Sequence, residues 1–202
     1  MTLRAPRLAP SRASRQQADP VLPDVLEHGL KVVFCGTAPG TVSATLKQYY
    51  AHPQNKFWRV LLDVGLTPRL FAPSEYPQLP AFGIGLTDIA KHSSGMDNQL
   101  PRGSLGLNAL SGLRRRIERC QPANLAFTSL TGGRKFLGSK AAFGLQSQTI
   151  GPTQIWVLPS PSPAAHWNWD AHLHAWQALA DHVRRNAAAT AAIEIDGAAI
   201  IR

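Results

Sequence analysis

Four short apolar runs punctuate the chain, each bounded by turn-forming residues: Lys31–Cys35 (KVVFC), Phe82–Leu86 (FGIGL), Asn124–Thr128 (NLAFT) and Gln154–Leu158 (QIWVL). They are continuous or nearly so, the pattern of strands covered on both faces. Between them the spacing changes to a helical period. Asn55–Val64 carries Phe57, Trp58, Leu61, Leu62 and Val64. Leu105–Arg119 aligns Leu107, Leu110, Leu113 and Ile117 on one stripe, with Arg114, Arg115, Arg116 and Arg119 around it. Trp169–Arg185 sets Leu173, Trp176, Leu179, Ala180 and Val183 at helical intervals. Strand and helix alternate, which predicts an α/β fold with a mainly parallel sheet. Ligands of such sheets bind beyond the carboxyl ends of the strands. Those ends are 36–43, 87–97, 129–134 and 159–166, and they hold most of the unusual residues of the chain.

The termini read differently. Residues 1–20 contain Arg4, Arg7, Arg12 and Arg15, no acidic residue before Asp19 and no apolar period, the marks of a flexible basic arm. Residues 187–202 are Ala-rich and read as a C-terminal tail. That leaves 21–186 as a single α/β domain, within a chain of 202 residues. An apolar fraction of 44% excludes wholesale disorder. No apolar run is long enough to span a bilayer, so no membrane partner is expected. Two cysteines, Cys35 and Cys120, exclude a disulfide scaffold and a four-Cys metal or iron–sulfur site. His172 and His174 do not share a helix face, which argues against zinc; no metal and no cofactor are expected. The net charge of +9 makes nucleic acid the expected partner and a cytoplasmic, nucleoid-associated location the expected one. The Arg114–Arg119 cluster reads as a solvated helix face.

Candidate chemistry lies at the strand ends. Gly36-Thr37-Ala38-Pro39-Gly40 is a turn whose backbone can approach a ligand closely. Tyr50 follows beside it, suited to stacking on a planar base, in the run Tyr49-Tyr50-Ala51-His52-Pro53-Gln54-Asn55-Lys56-Phe57-Trp58. Pro159-Ser160-Pro161-Ser162-Pro163-Ala164-Ala165-His166 is a stiff, hydroxyl-bearing loop able to hold phosphate. Ser129 ends a strand, and Gly132–Lys135 opens a helix where amide groups favour an anion. Lys91–Gln99 completes the cleft. His52 and His166 can donate to a base or a phosphate. Neither cysteine has the surroundings of a nucleophile.

The Gly36–Gly40 turn, the Tyr50–Trp58 run, Gly83-Ile84-Gly85-Leu86-Thr87-Asp88 and Gln154–Pro159 with its Pro/Ser loop together resemble the uracil-DNA glycosylase superfamily. The nearest branches are the mismatch-specific uracil/thymine-DNA glycosylases and the hypoxanthine-DNA glycosylases. The resemblance covers about 32–185. It implies a three-layer α/β/α fold with a four-stranded, mainly parallel central sheet, and a monomer that excises uracil from DNA after flipping the nucleotide out. Water is then the nucleophile, since no Lys stands at an obvious Schiff-base position. It further implies Gly36, Thr37, Ala38, Tyr50 and Ser129 as base-binding residues, and Ser160, Ser162, Pro163, Ala164 and His166 as DNA-binding ones. One departure matters: Ala38 stands where the mismatch-specific branch has a water-positioning Asn. Asn55 and Asp88 are the candidates to take over. An amide carbonyl can accept from water, and a carboxylate can orient it and stabilise a cationic sugar. A hypoxanthine- or xanthine-DNA glycosylase, a non-catalytic binder of damaged DNA and an α/β enzyme acting on a small nucleotide remain alternatives.

Overall fold

The computed structural model describes residues 19–165 and 169–199. Its sheet contains β1 (Val32–Gly36), β2 (Ile84–Asp88), β3 (Asn124–Phe127), β4 (Gly144–Ile150) and β5 (Thr153–Val157), in the order β2-β1-β3-β5-β4. β1 runs parallel to β2 and β3, and β3 parallel to β5, so the four apolar runs do form a parallel block. The fold is α/β.

The expected four strands become five. β4 pairs antiparallel with β5, with a register irregularity between Leu145 and Thr149. Its sequence, GLQSQTI, has no continuous apolar run because it is an edge strand with much of its surface in solvent. A strand covered on one side lacks the signal that marks its buried neighbours.

Helices α1 (Thr41–Leu46), α2 (Phe57–Asp63), α3 (Leu107–Cys120), α4 (Leu130–Leu137) and α5 (Trp169–Ala199) flank the sheet. Successive β1 residues alternate between two cores, as strand geometry requires. Val32 and Phe34 join Phe57, Leu61, Trp176 and Leu179 of α2 and α5. Val33 and Cys35 join Leu113 and Ile117 of α3, with Leu130 and Phe136 of α4 packed against them. Phe34 bridges α2 and α5, edge-on to Phe57 at 5.4 Å and stacked on Trp176 at 5.5 Å between ring centroids. These aromatic contacts fix how far α2 stands from the sheet, and therefore where the preceding Tyr50–Lys56 turn lies.

A strap formed by 19–25 closes the β2 edge. Val25 bridges Leu86, Leu22 is fully buried, and Tyr49 Oη donates to the Pro23 carbonyl at 3.0 Å. Among the described residues, no helix is long and apolar enough to cross a membrane.

Candidate active site

The carboxyl ends of β1, β2, β3 and β5 open into one cavity of about 830 Å³. Its floor is built by two neighbouring strands. Gly36 and Asp88 are register partners at the ends of β1 and β2. A Cβ on residue 36 would collide with Asp88 Oδ1, so glycine here lets the carboxyl lie under the β1 backbone. Asp88 is 3% exposed, and its Oδ2 has no hydrogen-bond partner among the described residues.

Nearby cations do little to relieve that. Asp24, from the strap, accepts from Lys91 Nζ and Thr87 Oγ1, both at 2.6 Å, and lies 3.2 Å from Arg116 Nε. Arg116 also donates to the Asp88 main-chain carbonyl at 2.7 Å, leaving the carboxylate to one side. Burial pushes the Asp88 carboxyl up to about 7; Lys91 and Arg116 pull it down, and Asp24 pushes it further up. Burial, reinforced by Asp88, likewise raises the Tyr50 hydroxyl well above its usual range. Arg116 therefore departs from the solvated face expected of its cluster: its side chain is 15% exposed and turned inward.

Tyr50 forms a wall of the cavity. Its backbone is left-handed, at φ 51°, in the turn between α1 and α2. For a bulky residue this conformation is uncommon and is held by tertiary contacts. Phe57 supplies one, stacking on the ring at 3.8 Å with an interplanar angle of 15°. Thr128 supplies another, its Oγ1 lying 3.1 Å from Tyr50 Oη. One face of the ring is thus covered, while the residue still borders the cavity.

The next few residues are locked by their own backbone. Asn55 N–H donates to the His52 carbonyl at 2.8 Å, and Asn55 Oδ1 accepts from Phe57 N–H at 3.0 Å, a side-chain turn just ahead of α2. A carbonyl oxygen has a second lone pair, and the amide NH₂ adds two donors, so this bond leaves Asn55 hydrogen-bonding capacity. Asn55 and His52 both line the cavity. Lys56 N–H donates to the Pro161 carbonyl at 2.9 Å, tying this turn to the Pro/Ser loop.

That loop is braced by its hydroxyls: Ser160 Oγ accepts from Ser162 N–H at 3.3 Å, and Ser162 Oγ from Ala164 N–H at 3.4 Å. Ser160, Ser162, Pro163 and Ala164 line the cavity; His166 lies outside the described residues. Across the cavity Ser129 caps α4, its Oγ accepting from Gly132 N–H at 3.0 Å. Thr37 and Ala38 complete the lining from β1.

The structure thus brings together Asn55, Asp88, Gly36, Thr37, Ala38, Tyr50, Ser129 and the described loop residues. It adds contacts and lining residues beyond those candidates. Asp97 accepts from Thr37 Oγ1 at 2.5 Å, and Gly95 N–H donates to the Pro39 carbonyl at 2.9 Å, so the 91–99 loop is fastened to the β1 turn. Thr128, Phe143 and His172 also line the cavity. Gly95 and Asp97 lie in the 91–99 loop that the sequence placed at the cleft, and Thr128 stands next to Ser129 at a strand end; Phe143 and His172 carried no signal of a place in the cavity.

A family model described as the uracil DNA glycosylase superfamily matches residues 23–181. The fold is similar to the solution structure of a candidate uracil DNA glycosylase from Methanosarcina acetivorans, at 24% identity and a TM-score of 0.55, over 81% of this chain and 96% of that one.

Proposed function

The chain belongs to the uracil DNA glycosylase superfamily, and on that premise we propose that it hydrolyses the N-glycosidic bond of uracil in DNA, as a monomer and without lyase activity. The coarser class, a DNA glycosylase acting on DNA in repair, follows from the family. The choice of uracil and the roles of individual residues are our reading. It rests on one observation above the rest: Asn55 and Asp88 reach the same cavity at the carboxyl ends of a parallel sheet, beside Tyr50 and the Gly36–Ala38 backbone.

In this reading a nucleotide is extruded into the cavity, at an unstacking cost of a few kcal/mol. Tyr50 and the backbone of Gly36, Thr37 and Ala38 receive the base. As the glycosidic bond breaks, the base leaves with the bonding electron pair and the sugar becomes cation-like. Asn55 orients the water that adds to the sugar, its Oδ1 accepting from water through the lone pair not used by Phe57, and the proton that the added water releases passes to the ionised Asp88 or through solvent to the departed base anion. Ionised Asp88 stabilises the cationic sugar and takes part in positioning the water. Ala38 offers no side-chain hydrogen bond, so these two residues replace the Asn that the mismatch-specific branch resembled by this chain carries there. Ser129 and the Ser160–Ala164 loop hold the strand.

Single-turnover cleavage of labelled oligonucleotides carrying uracil, hypoxanthine or xanthine, single- and double-stranded, tests this directly. Scission at uracil only after alkali is the expected result. Scission confined to a purine lesion would reassign the substrate to hypoxanthine or xanthine. Tight binding with no scission at any base would make the protein a reader of damage.

A further inference from the structure

Extruding a nucleotide opens a gap in the base stack, and a gap of that kind is filled by an apolar side chain standing at the mouth of the receiving cavity. Six large hydrophobic side chains are exposed among the described residues, and two of them, Met96 and Phe143, line the cavity. Phe143 is the aromatic one, 49% exposed. The Pro/Ser loop has no side chain of that size from Ser160 to Ala165, where it carries only Ser, Pro and Ala.

Topology and local hydrogen bonds fix where Phe143 stands. β4 runs antiparallel to β5, so its first residue, Gly144, pairs with Val157, at the end of β5 from which the Pro/Ser loop departs. Phe143 comes directly before that pair. Gln146 Nε2 donates to the Ala142 carbonyl at 2.7 Å and to the Gly144 carbonyl at 2.8 Å, so one amide grips the chain on both sides of Phe143. Arg134 Nε donates to the Ala141 carbonyl at 3.3 Å and ties the same segment to α4. Gly144, at φ 100°, turns the chain into the strand in a conformation that suits glycine. The Phe143 ring meets His172 of α5 at 6.4 Å between centroids, inclined by 59°, and about half of it stays in solvent. An aromatic ring on a segment braced in this way loses little freedom when it is covered.

We propose that Phe143 enters the stack of duplex DNA where the nucleotide has left it, stacking on the neighbouring base and blocking the return of the extruded one. This deepens the glycosylase reading and rests on it. An aromatic face accepts any base, so Phe143 contributes a preference for paired DNA and none for sequence. A nucleotide in a single strand has no pairing to break and little stacking to lose, so there the ring is dispensable.

F143A and F143W are compared with the wild type, after thermal melting has shown each to be folded. Single-turnover excision of the base that the wild type removes is measured in duplex and in single strand. Anisotropy titrations follow binding to a duplex and a single strand that carry a tetrahydrofuran abasic site. F143A is expected to lose about 10- to 100-fold on the duplex, in rate or in affinity, and no more than about two-fold on the single strand, the scale of one base–aromatic stacking contact. F143W should stay close to wild type on both. F143A equal to wild type on both substrates overturns the proposal, and so does equal impairment on both, which would make Phe143 a wall of the cavity. F143W as impaired on the duplex as F143A overturns it too, because the aromatic face would then have no role. Size-exclusion chromatography supplies a further check: a wild type that elutes as a dimer beside a monomeric F143A assigns the ring to contact with a second copy and overturns the proposal. A wild type that excises no base defeats the glycosylase reading instead, and the duplex-to-single-strand ratio of abasic affinities then still decides on Phe143.

Discussion

The two groups proposed to act on the sugar and the water are positioned by opposite means. Asp88 lies at the floor, 3% exposed, held by strand register under a glycine and left without a partner for Oδ2. Asn55 lies at the wall, partly exposed, held by backbone hydrogen bonds within its own turn, which Lys56 N–H in turn ties to the Pro161 carbonyl. The floor stores an electrostatic cost, because an ionised carboxylate in low dielectric is disfavoured. The wall stores none, because a neutral amide with satisfied backbone partners loses little on burial. The contrast teaches that one site can hold a pH-dependent and a pH-independent element side by side, and that mutations should separate them.

The largest effect is expected at the wall. Asn55→Ala should slow single-turnover excision by about 10²- to 10³-fold, the scale for losing one preorganised polar group, with DNA affinity nearly intact. An unchanged rate would remove Asn55 from the mechanism and leave the floor alone to handle the water.

The floor should show itself through pH. With Asp88 ionising near 7, wild-type excision should rise as pH passes from about 6 to about 8. Asp88→Asn should lower the rate about 10²-fold or more and abolish that limb. Stability should move the other way. A carboxyl whose folded pKa is raised to about 7 favours the folded state fully below the unfolded carboxylate range, and that contribution is lost as pH rises through 7. Asp88→Asn should accordingly melt above wild type at pH 8, with the difference shrinking toward pH 5. A variant that melts lower at both pH values would show that the Asp88 carboxylate is compensated in a way its surroundings do not indicate.

Gly36→Ala tests the register that builds the floor. The added Cβ meets Asp88 Oδ1, so either the carboxyl or the β1 backbone must move. A stability loss of about 1–3 kcal/mol, the usual cost of overpacking, should accompany a shift of the pH limb in the same variant. Stability loss with an unshifted limb would separate Asp88 titration from its place under Gly36.

The smallest effect is expected from Tyr50→Phe. It removes the hydroxyl lying 3.1 Å from Thr128 Oγ1 but keeps the ring stacked on Phe57. Chemical denaturation should report about 1 kcal/mol. Excision should fall only a few-fold, since the proposed role of Tyr50 belongs to the ring; a much larger fall would put the hydroxyl into the chemistry.

How much of this was legible in the chain depends on how local each feature is. The four apolar runs announced β1, β2, β3 and β5 within two residues at either end, because each is covered on both faces by its own residues' partners. β4 escaped notice because its pattern is that of an edge. Asn55 was singled out through the resemblance and the chemistry of its amide, and the hydrogen bonds that hold it lie within a few residues. Asp88 was visible as a carboxylate at a strand end, but its perturbed ionisation was not. That comes first from burial, which is a sum over surrounding elements, and further from Asp24, which is 64 positions earlier and also pairs with Lys91 and Arg116. Arg116 read as surface for the same reason: nothing in its helix reveals that the strap supplies a carboxylate behind it. The fastening of Thr37 by Asp97 joins residues 60 apart and left no mark in either segment.

By itself, then, the sequence determined the α/β class and the strand ends around which the candidate cavity lies. These depend on period, turn chemistry and capping, all of which act over a few residues. The tertiary structure decided which polar groups share one cavity, which cations are already engaged, and which carboxyl is left desolvated. Burial and charge compensation are sums over every neighbour in space, and no short stretch of chain contains them.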